Sequence, residues 1–180
     1  FQTQKSKAII SPRFSNYEPC RNTNPEFIIQ LVKKLEALDF EIAFIHDQED
    51  HGETAKVLNQ FKNIIHIPEA SFNISLRLAL AEIANINLFT PCALQGFTIL
   101  AKSHPNMICF DMQKPPNASF TGDNNDYKGR GGMNPGKPYP YPWSTKNNLF
   151  IWDNPVDIDK VVKYAWKISE KFKRKALIND

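Results

Sequence analysis

The stretch KAIISPRFSNYEPCRNTNPEFIIQLVKKLEALDFEIAFIH, residues 7–46, contains the pattern that decides the fold. Its two ends, Lys7–Ser11 and Phe40–His46, are short apolar runs typical of buried strands. Between them, Asn24 can cap a helix that begins near Pro25, and apolar side chains then recur every three or four residues. These apolar residues are Ile28, Leu31, Leu35 and Leu38. The stretch therefore predicts a strand, a helix and a second strand.

The same alternation of strands and helices continues to residue 111. We predict helices over Glu53–Phe61, Ile74–Ala84 and Leu94–Ser103, and strands over Asn63–Ile67, Asn87–Thr90 and Met107–Asp111. The helix at Ile74–Ala84 also shows the alternation of a strand, but its Ala and Glu residues favour a helix. The pattern predicts an α/β domain, built as an open parallel sheet with helices on both faces.

A long Gly- and Pro-rich segment, residues 113–148, then interrupts the alternation. It holds five of the seven glycines of the chain, so it predicts a long loop. Its single Arg-Gly-Gly sequence, with nearby aromatics, is a weak indication of RNA contacts. We favour a loop that covers a substrate or packs on a neighbouring domain. A final strand, Leu149–Trp152, and a C-terminal helix, from Val156 to about Lys175, are predicted to follow.

The composition of the 180-residue chain is that of one globular domain. Its formal net charge of +3 is compatible with an anionic ligand, but it is too small to indicate a nucleic-acid partner. No apolar run approaches the roughly 18 residues of a membrane span, and no secretory signal is visible. Three cysteines without zinc-ligand spacing are typical of free thiols in a reducing compartment, so we expect a cytoplasmic protein. The first residue is Phe1 rather than Met, which is compatible with a piece of a longer protein.

Candidate binding residues follow the first predicted strand, because open parallel sheets bind ligands at the carboxyl ends of their strands. The loop Pro12–Asn24 ends at a helix N-terminus, whose N–H groups and partial positive charge suit phosphate. The candidate residues of this loop are Arg13, Arg21, Asn22 and Thr23. The two arginines supply bidentate donors for an anion. Alternatively, they are surface residues that pair with Glu18 or Glu26.

A second candidate cradle for an anion is the sequence FTPCALQGF, Phe89–Phe97, after the fourth strand. Its candidate residues are Thr90, Cys92, Gln95 and Gly96. Cys92 is the type of residue that serves as a nucleophile, but no His or carboxylate lies near it in sequence. We therefore favour a small residue that lines a pocket, and we leave the catalytic residues unassigned.

Polar residues also follow the second and third strands. Asp47 and Glu69 are candidates to accept hydrogen bonds from ribose hydroxyls or a base, although ordinary loop residues would look the same. His46 and His51 lie among acidic residues, but their spacing matches no established metal motif, so we predict no metal site. We expect His66 and His104 to be structural.

Three stretches resemble the C-terminal, donor-binding domain of GT-B type glycosyltransferases, a Rossmann-like domain, and in particular bacterial enzymes that build surface carbohydrate. The stretches AIISPR and RNTNPEFIIQLVKKLEALDFEIAFI resemble the first β-α-β unit with its basic loop. LRLALAEIANINLFTPCALQGFTILAKSHPNMICFDM resembles the later core, and NNLFIWDNPVDIDKVVKYAWKI resembles the terminal strand and helix. The resemblance covers most of the chain outside residues 113–148.

The resemblance implies a single domain, residues 1–180, that binds the diphosphate of a sugar nucleotide and transfers the sugar to a carbohydrate acceptor. Arg13 and Arg21 would hold the phosphates from one side, and the Thr90–Gly96 loop would hold them from the other. Electrostatic stabilisation of the leaving group requires no metal or other cofactor. The usual catalytic base would belong to an N-terminal domain of the same protein. The Thr-Pro-Cys sequence departs from the Ser or Asp with Gly that is common in such loops.

Two other interpretations remain open at this stage. One is a non-catalytic module with the same fold that binds a nucleotide or a sugar phosphate. The other is a small α/β enzyme that acts on a phosphorylated metabolite, for which Asp47, Glu69 and Cys92 are the candidate residues.

Overall fold

The computed structural model describes residues 5–16, 22–50, 52–90, 98, 101, 105–110, 148–151 and 156–179. The strands are β1 (Ser6–Ser11), β2 (Phe40–Phe44), β3 (Ile65–His66), β4 (Ile86–Phe89), β5 (Met107–Phe110) and β6 (Asn148–Ile151). The helices are α1 (Pro25–Ala37), α2 (Glu53–Leu58), α3 (Ile74–Ile83) and α4 (Ile158–Asn179), with a 3₁₀ turn at Pro68–Ser71. No helix within these ranges is both long and apolar enough to cross a membrane.

The described strands form one six-stranded sheet in the order β3-β2-β1-β4-β5-β6. Every neighbouring pair is parallel, which confirms the predicted open parallel sheet. Along the chain, β2 and β3 are added successively on one side of β1, and β4, β5 and β6 are added successively on its other side. The strand order therefore reverses between β1 and β4, and a crevice at such a reversal is where α/β sheets bind ligands.

Helices cover both faces of the sheet, as the sequence predicts. On one face, Ile10 of β1, Phe44 of β2 and Leu88 of β4 pack in one cluster with apolar residues of α1, α2 and α4. On the other face, Ile9 and Ile45 pack with Leu76 and other residues on or near α3. The two sets come from alternate positions along each strand, so side chains of the same strand are buried on both sides.

Helix α1 begins where the sequence predicts, because the Oδ1 atom of Asn24 accepts a hydrogen bond from the backbone N–H of Glu26 at 3.0 Å. Ile28, Leu31 and Leu35 are fully buried, and a fully buried aliphatic side chain contributes about 1.5–3 kcal/mol. Leu38 was predicted on the same face, but its side chain is 40% exposed. The helix ends at Ala37, and Leu38 belongs to the turn into β2.

Several predicted boundaries differ by up to about four residues. Strand β3 is only Ile65–His66, because it pairs with β2 alone and Pro68 begins a 3₁₀ turn two residues later. Helix α2 ends at Leu58 rather than Phe61, and α4 continues to Asn179. Apart from residues 98, 101 and 148, the predicted helix Leu94–Ser103 and the loop 113–148 lie outside the described residues.

Candidate functional site

The first loop and the end of β4 meet at the point where the strand order reverses. The hydroxyl oxygens of Thr23 and Thr90 lie 2.5 Å apart, and the two residues are 2% and 1% exposed. The backbone N–H of Thr90 also donates to the carbonyl of Ser11 at 3.3 Å. Two residues that the sequence placed in separate candidate loops therefore form one buried contact beside the ends of β1 and β4.

Arg13 is held in the same contact network through its backbone. Its N–H donates to the hydroxyl oxygen of Thr23 at 3.1 Å, and its carbonyl accepts from the N–H of Thr23 at 2.8 Å. Its guanidinium donates from Nη1 to Oδ1 of Asn22 at 2.7 Å, and the residue is only 6% exposed. Arg13 is therefore a buried cation whose guanidinium contacts a side chain of its own loop.

The side chain of Asn22 connects the end of this loop to its beginning. Its Oδ1 atom accepts from the N–H of Ser15 at 2.8 Å, and its Nδ2 atom donates to the carbonyl of Ser15 at 2.9 Å. Together with the two backbone bonds between Arg13 and Thr23, these contacts bring the two ends of the loop side by side. The described ends of the connection between β1 and α1 are therefore held together just before the helix begins.

The carboxylate of Asp47 organises the same loop from the end of β2. It accepts from the N–H of Phe14 at 3.1 Å and from the N–H of Gln48 at 2.7 Å. The carboxylate of Glu49 adds two contacts with the same loop. It accepts from the hydroxyl of Ser15 at 2.7 Å and from the backbone N–H of Asn16 at 3.0 Å. Asp47 therefore lies at the predicted edge of the sheet, and each of its carboxylate oxygens already accepts a hydrogen bond from a backbone N–H.

The remaining predicted residues are not part of this described network. Glu69 is exposed in the 3₁₀ turn, and within the described ranges no hydrogen bond joins its side chain to the first loop. Arg21, Cys92, Gln95 and Gly96 lie outside the described residues, so their roles stay predictions. At the N-terminus of α1, the N–H of Glu26 is already bonded to Asn24, so that group serves the helix cap rather than an anion.

Sequence reasoning missed a second buried arginine at this edge. Arg77 lies on α3, is 3% exposed, and donates from Nη2 to the hydroxyl of Ser11, the last residue of β1. That hydroxyl in turn donates to the carbonyl of Ile45 at 3.2 Å. The signal in the sequence was a cation within a largely apolar helix, and no role was predicted for it. Arg77 connects α3 with the ends of β1 and β2.

Two histidines form a second polar contact at the ends of β2 and β3. Nδ1 of His46 and Nε2 of His66 lie 3.1 Å apart. The contacts of His66 partly remove its ring from water, which lowers the pKa of His66 below its usual value. The nearby His46 lowers that pKa further, whereas Asp50 and Glu69 oppose the change. The sequence predicted a structural role for His66, but it did not predict this pair.

Comparisons with known proteins show which solved structures have a similar fold. No protein-family model and no curated protein matches the chain. Among solved structures, the E. coli ADP-heptose LPS heptosyltransferase II aligns with a TM-score of 0.65 and 8% identity, over 96% of this chain and 49% of that one. The Streptococcus pneumoniae glycosyltransferase GlyE aligns with a TM-score of 0.42 and 15% identity, over 66% of this chain and 28% of that one. The apo form of GlyE aligns similarly, with a TM-score of 0.41 and 16% identity over 64% and 27% of the two chains.

The match to the heptosyltransferase concerns the fold, since an identity of 8% carries no residue-level correspondence. The chain spans about half the length of that enzyme. The predicted likeness to a GT-B type glycosyltransferase is confirmed at the level of the fold: the chain has a Rossmann-like α/β fold similar to that of the heptosyltransferase.

Proposed function

We propose that this chain is the donor-binding domain of a glycosyltransferase, and that it holds the diphosphate of a sugar nucleotide between the first loop and the loop after β4. The fold of the heptosyltransferase, an enzyme named for an ADP-sugar, supports the class of function. The crevice between β1 and β4 supports the place, because ligands of open α/β sheets bind where the strand order reverses.

The observation that carries the proposal is the pair of threonine hydroxyls in that crevice. Each hydroxyl has one proton to donate and can accept two hydrogen bonds. The contact between Thr23 and Thr90 uses one of the two protons, whichever residue donates. The backbone N–H of Arg13 occupies an acceptor position on Thr23, so it does not consume the second proton. Among the contacts of the described residues, one of the two hydroxyl protons is therefore left to donate to a further acceptor, such as a phosphate oxygen.

The chemistry that follows is electrostatic. When the bond between sugar and diphosphate breaks, negative charge builds up on the leaving phosphate oxygen. Donors that are fixed in place before the reaction stabilise this charge more strongly than they stabilise the ground state. In the proposal, a threonine hydroxyl contacts the diphosphate directly, while Arg21 and Gln95 approach from the two loops. The buried guanidinium groups of Arg13 and Arg77 add positive charge near the strand ends.

The proposal is tested by thermal-shift and calorimetric titration with UDP, GDP, ADP and CMP sugars. We expect at least one nucleotide sugar to stabilise the chain and to bind with a stoichiometry of one. Thr90→Val and Arg21→Ala should each weaken that binding by about tenfold, the effect of losing about 1.4 kcal/mol of interaction. Lys33→Ala is a matched control, because Lys33 is an exposed cation on α1 about 12 Å along the helix from Pro25.

Retention of full affinity in both site variants would contradict the placement of the diphosphate. Absence of binding to every nucleotide sugar, on protein with the far-ultraviolet circular dichroism of an α/β domain, would contradict the proposed function itself. Equal binding of a nucleotide and of a simple sugar phosphate would favour the alternative of a module that recognises only the phosphate.

A further inference from the structure

We propose that His46 and His66 form a binding site for a nitrogen-preferring transition-metal ion such as Zn²⁺ or Ni²⁺. The ligands are Nδ1 of His46 and Nε2 of His66, at the ends of β2 and β3. The inference does not depend on the sugar-nucleotide proposal, because the site contains none of the residues Thr23, Thr90, Arg13 and Arg77.

The spacing of the two nitrogens suits a shared ion. Imidazole nitrogens bind zinc at about 2.0–2.1 Å. Two nitrogens at that distance from one ion stand about 2.9 Å apart at a right angle and about 3.4 Å apart at the tetrahedral angle. The observed separation of His46 Nδ1 and His66 Nε2 is 3.1 Å, between those two values. From a head-on hydrogen bond, each ring must turn by about 35–45° for both lone pairs to point at one ion at these N–ion distances.

The tautomers of the pair allow this change without loss of a proton. In two neutral imidazoles, one ring must carry its proton between the rings to form the present hydrogen bond. If instead His46 carries its proton on Nε2 and His66 carries its proton on Nδ1, both facing nitrogens present lone pairs. Those lone pairs repel each other unless a cation lies between them. A metal ion therefore replaces the hydrogen bond and makes this tautomer pair the stable one.

The backbone and the neighbouring rings fix the positions of the two histidines. His66 pairs with Phe44 in the β2–β3 ladder, and the N–H of Ile67 donates to the carbonyl of Phe44 at 3.0 Å. The hydroxyl of Ser71 donates to the carbonyl of His46 at 2.7 Å. The ring of Phe72 lies edge-on to the ring of His46, with centroids 6.3 Å apart. His66 is the last residue of β3 and His46 lies two residues after β2, so these contacts position both rings before an ion binds.

The surrounding charges favour an added cation. Asp50 and Glu69 carry carboxylates that interact electrostatically with the ring of His66, so the ring lies in their negative potential. That potential favours a divalent ion as it favours a proton.

The number of protein ligands limits the strength of the site. Within the part of the chain that the structure describes, no group of three His, Cys, Asp or Glu side chains is arranged to hold a metal ion. The proposed site therefore offers two nitrogens, and water completes the coordination. Such a site exchanges its ion readily, and it selects against Mg²⁺ and Ca²⁺, which take oxygen ligands.

The test is calorimetric titration of the whole chain with ZnCl₂ and NiCl₂ at pH 7.5 after treatment with a chelator, with MgCl₂ as a negative control. We expect one Zn²⁺ per chain, with a rise in melting temperature at saturation. Removal of even an outer partner of a metal site costs about tenfold or more in affinity, so His46→Gln and His66→Gln should each cost at least that. His51→Gln and His104→Gln, which remove the other two histidines of the chain, should leave the affinity unchanged.

Absence of saturable Zn²⁺ and Ni²⁺ binding would overturn the inference. So would binding that survives His66→Gln, or binding that His51→Gln or His104→Gln abolishes. Since His66 is exposed, its variant is expected to fold, and the circular dichroism spectrum of each variant checks this. If His46→Gln alone disturbs the spectrum, His66→Gln decides the outcome.

Discussion

Thr23 and Thr90 are 67 residues apart in the sequence, yet their hydroxyl oxygens lie 2.5 Å apart at the reversal of strand order. This contact joins the loop after β1 to the end of β4, and both residues are buried. It connects the two halves of the sheet through one buried polar contact at the reversal of strand order.

The first prediction concerns the energetics of this contact. Thr90→Val removes one buried hydrogen-bond partner and should cost about 1 kcal/mol of unfolding free energy. Thr23→Val should cost more, about 2 kcal/mol, because it also leaves the N–H of Arg13 without the hydroxyl that accepts it. The double variant should lose about 1 kcal/mol less unfolding free energy than the sum of the two single losses. Urea unfolding of the four proteins measures this coupling, and strict additivity would contradict the contact.

The second prediction concerns the start of α1. Asn24→Ala removes the side chain that accepts from the N–H of Glu26, and an N-cap of this kind contributes about 1 kcal/mol. Asn24→Asp keeps an acceptor at the same position and should retain most of that stability. Urea midpoints of the two variants decide the question: equal losses would show that the cap does not stabilise the helix.

The third prediction concerns Asn87, a fully buried polar residue of β4. Its Nδ2 atom donates to the carbonyls of Ala81 and Asn106, each at 3.0 Å, and so ties the end of α3 to the start of β5. Asn87→Ala should lower the unfolding free energy by about 2–3 kcal/mol, because both carbonyls lose a buried donor. The exposed Asn63→Ala is the matched control and should change it by less than about 0.5 kcal/mol. Similar effects in the two variants would argue against this role.

The fourth prediction concerns pH. The pKa of His66 lies below its usual value of 6.5 in the folded chain, so the unfolded chain binds a proton more readily between the two values. The contribution of His66 to stability is therefore complete above about pH 6.5, and it is lost as the pH falls toward the folded pKa. The groups that act on this ring are His46, which lowers the pKa, and Asp50 and Glu69, which raise it.

Two measurements check this direction. In NMR titration, the ring protons of His66 should change shift at a lower pH than those of a histidine in a model peptide. In urea unfolding between pH 5 and 7.5, His66→Gln should flatten the rise of stability with pH. A ring of His66 that titrates above pH 6.5 would reverse the assigned sign.

Much of the fold was predictable because local signals and topology agree. Asn24 and Pro25 mark the start of α1, and the run Lys7–Ser11 is apolar on both faces, as a central parallel strand requires. The alternation of strands and helices then leaves few arrangements of the sheet. Boundaries such as the short β3 were less predictable, because they depend on whether a strand has one neighbour or two.

The candidate site was predictable as an edge of the sheet, but not as a set of contacts. Thr23 and Thr90 each lay in a candidate loop, yet no local pattern pairs residues so distant in sequence. Arg77 was missed because helical periodicity assigns apolar residues to the core, whereas tertiary packing buried this cation beside Ser11. Asp47 was predicted as a candidate, but a sequence does not reveal that the backbone N–H of Phe14 already donates to its carboxylate.

The central claim is that a nucleoside diphosphate binds in the crevice marked by Thr23 and Thr90. The most direct measurement is an NMR titration of the isotopically labelled chain with UDP, GDP, ADP and CDP, which follows every assigned backbone amide. The account predicts that at least one nucleotide shifts the amides of Ser11, Thr23 and Thr90 the most, and that Thr90→Val weakens this response. Shifts concentrated away from the ends of β1 and β4, or no saturable response to any of the four, would contradict it.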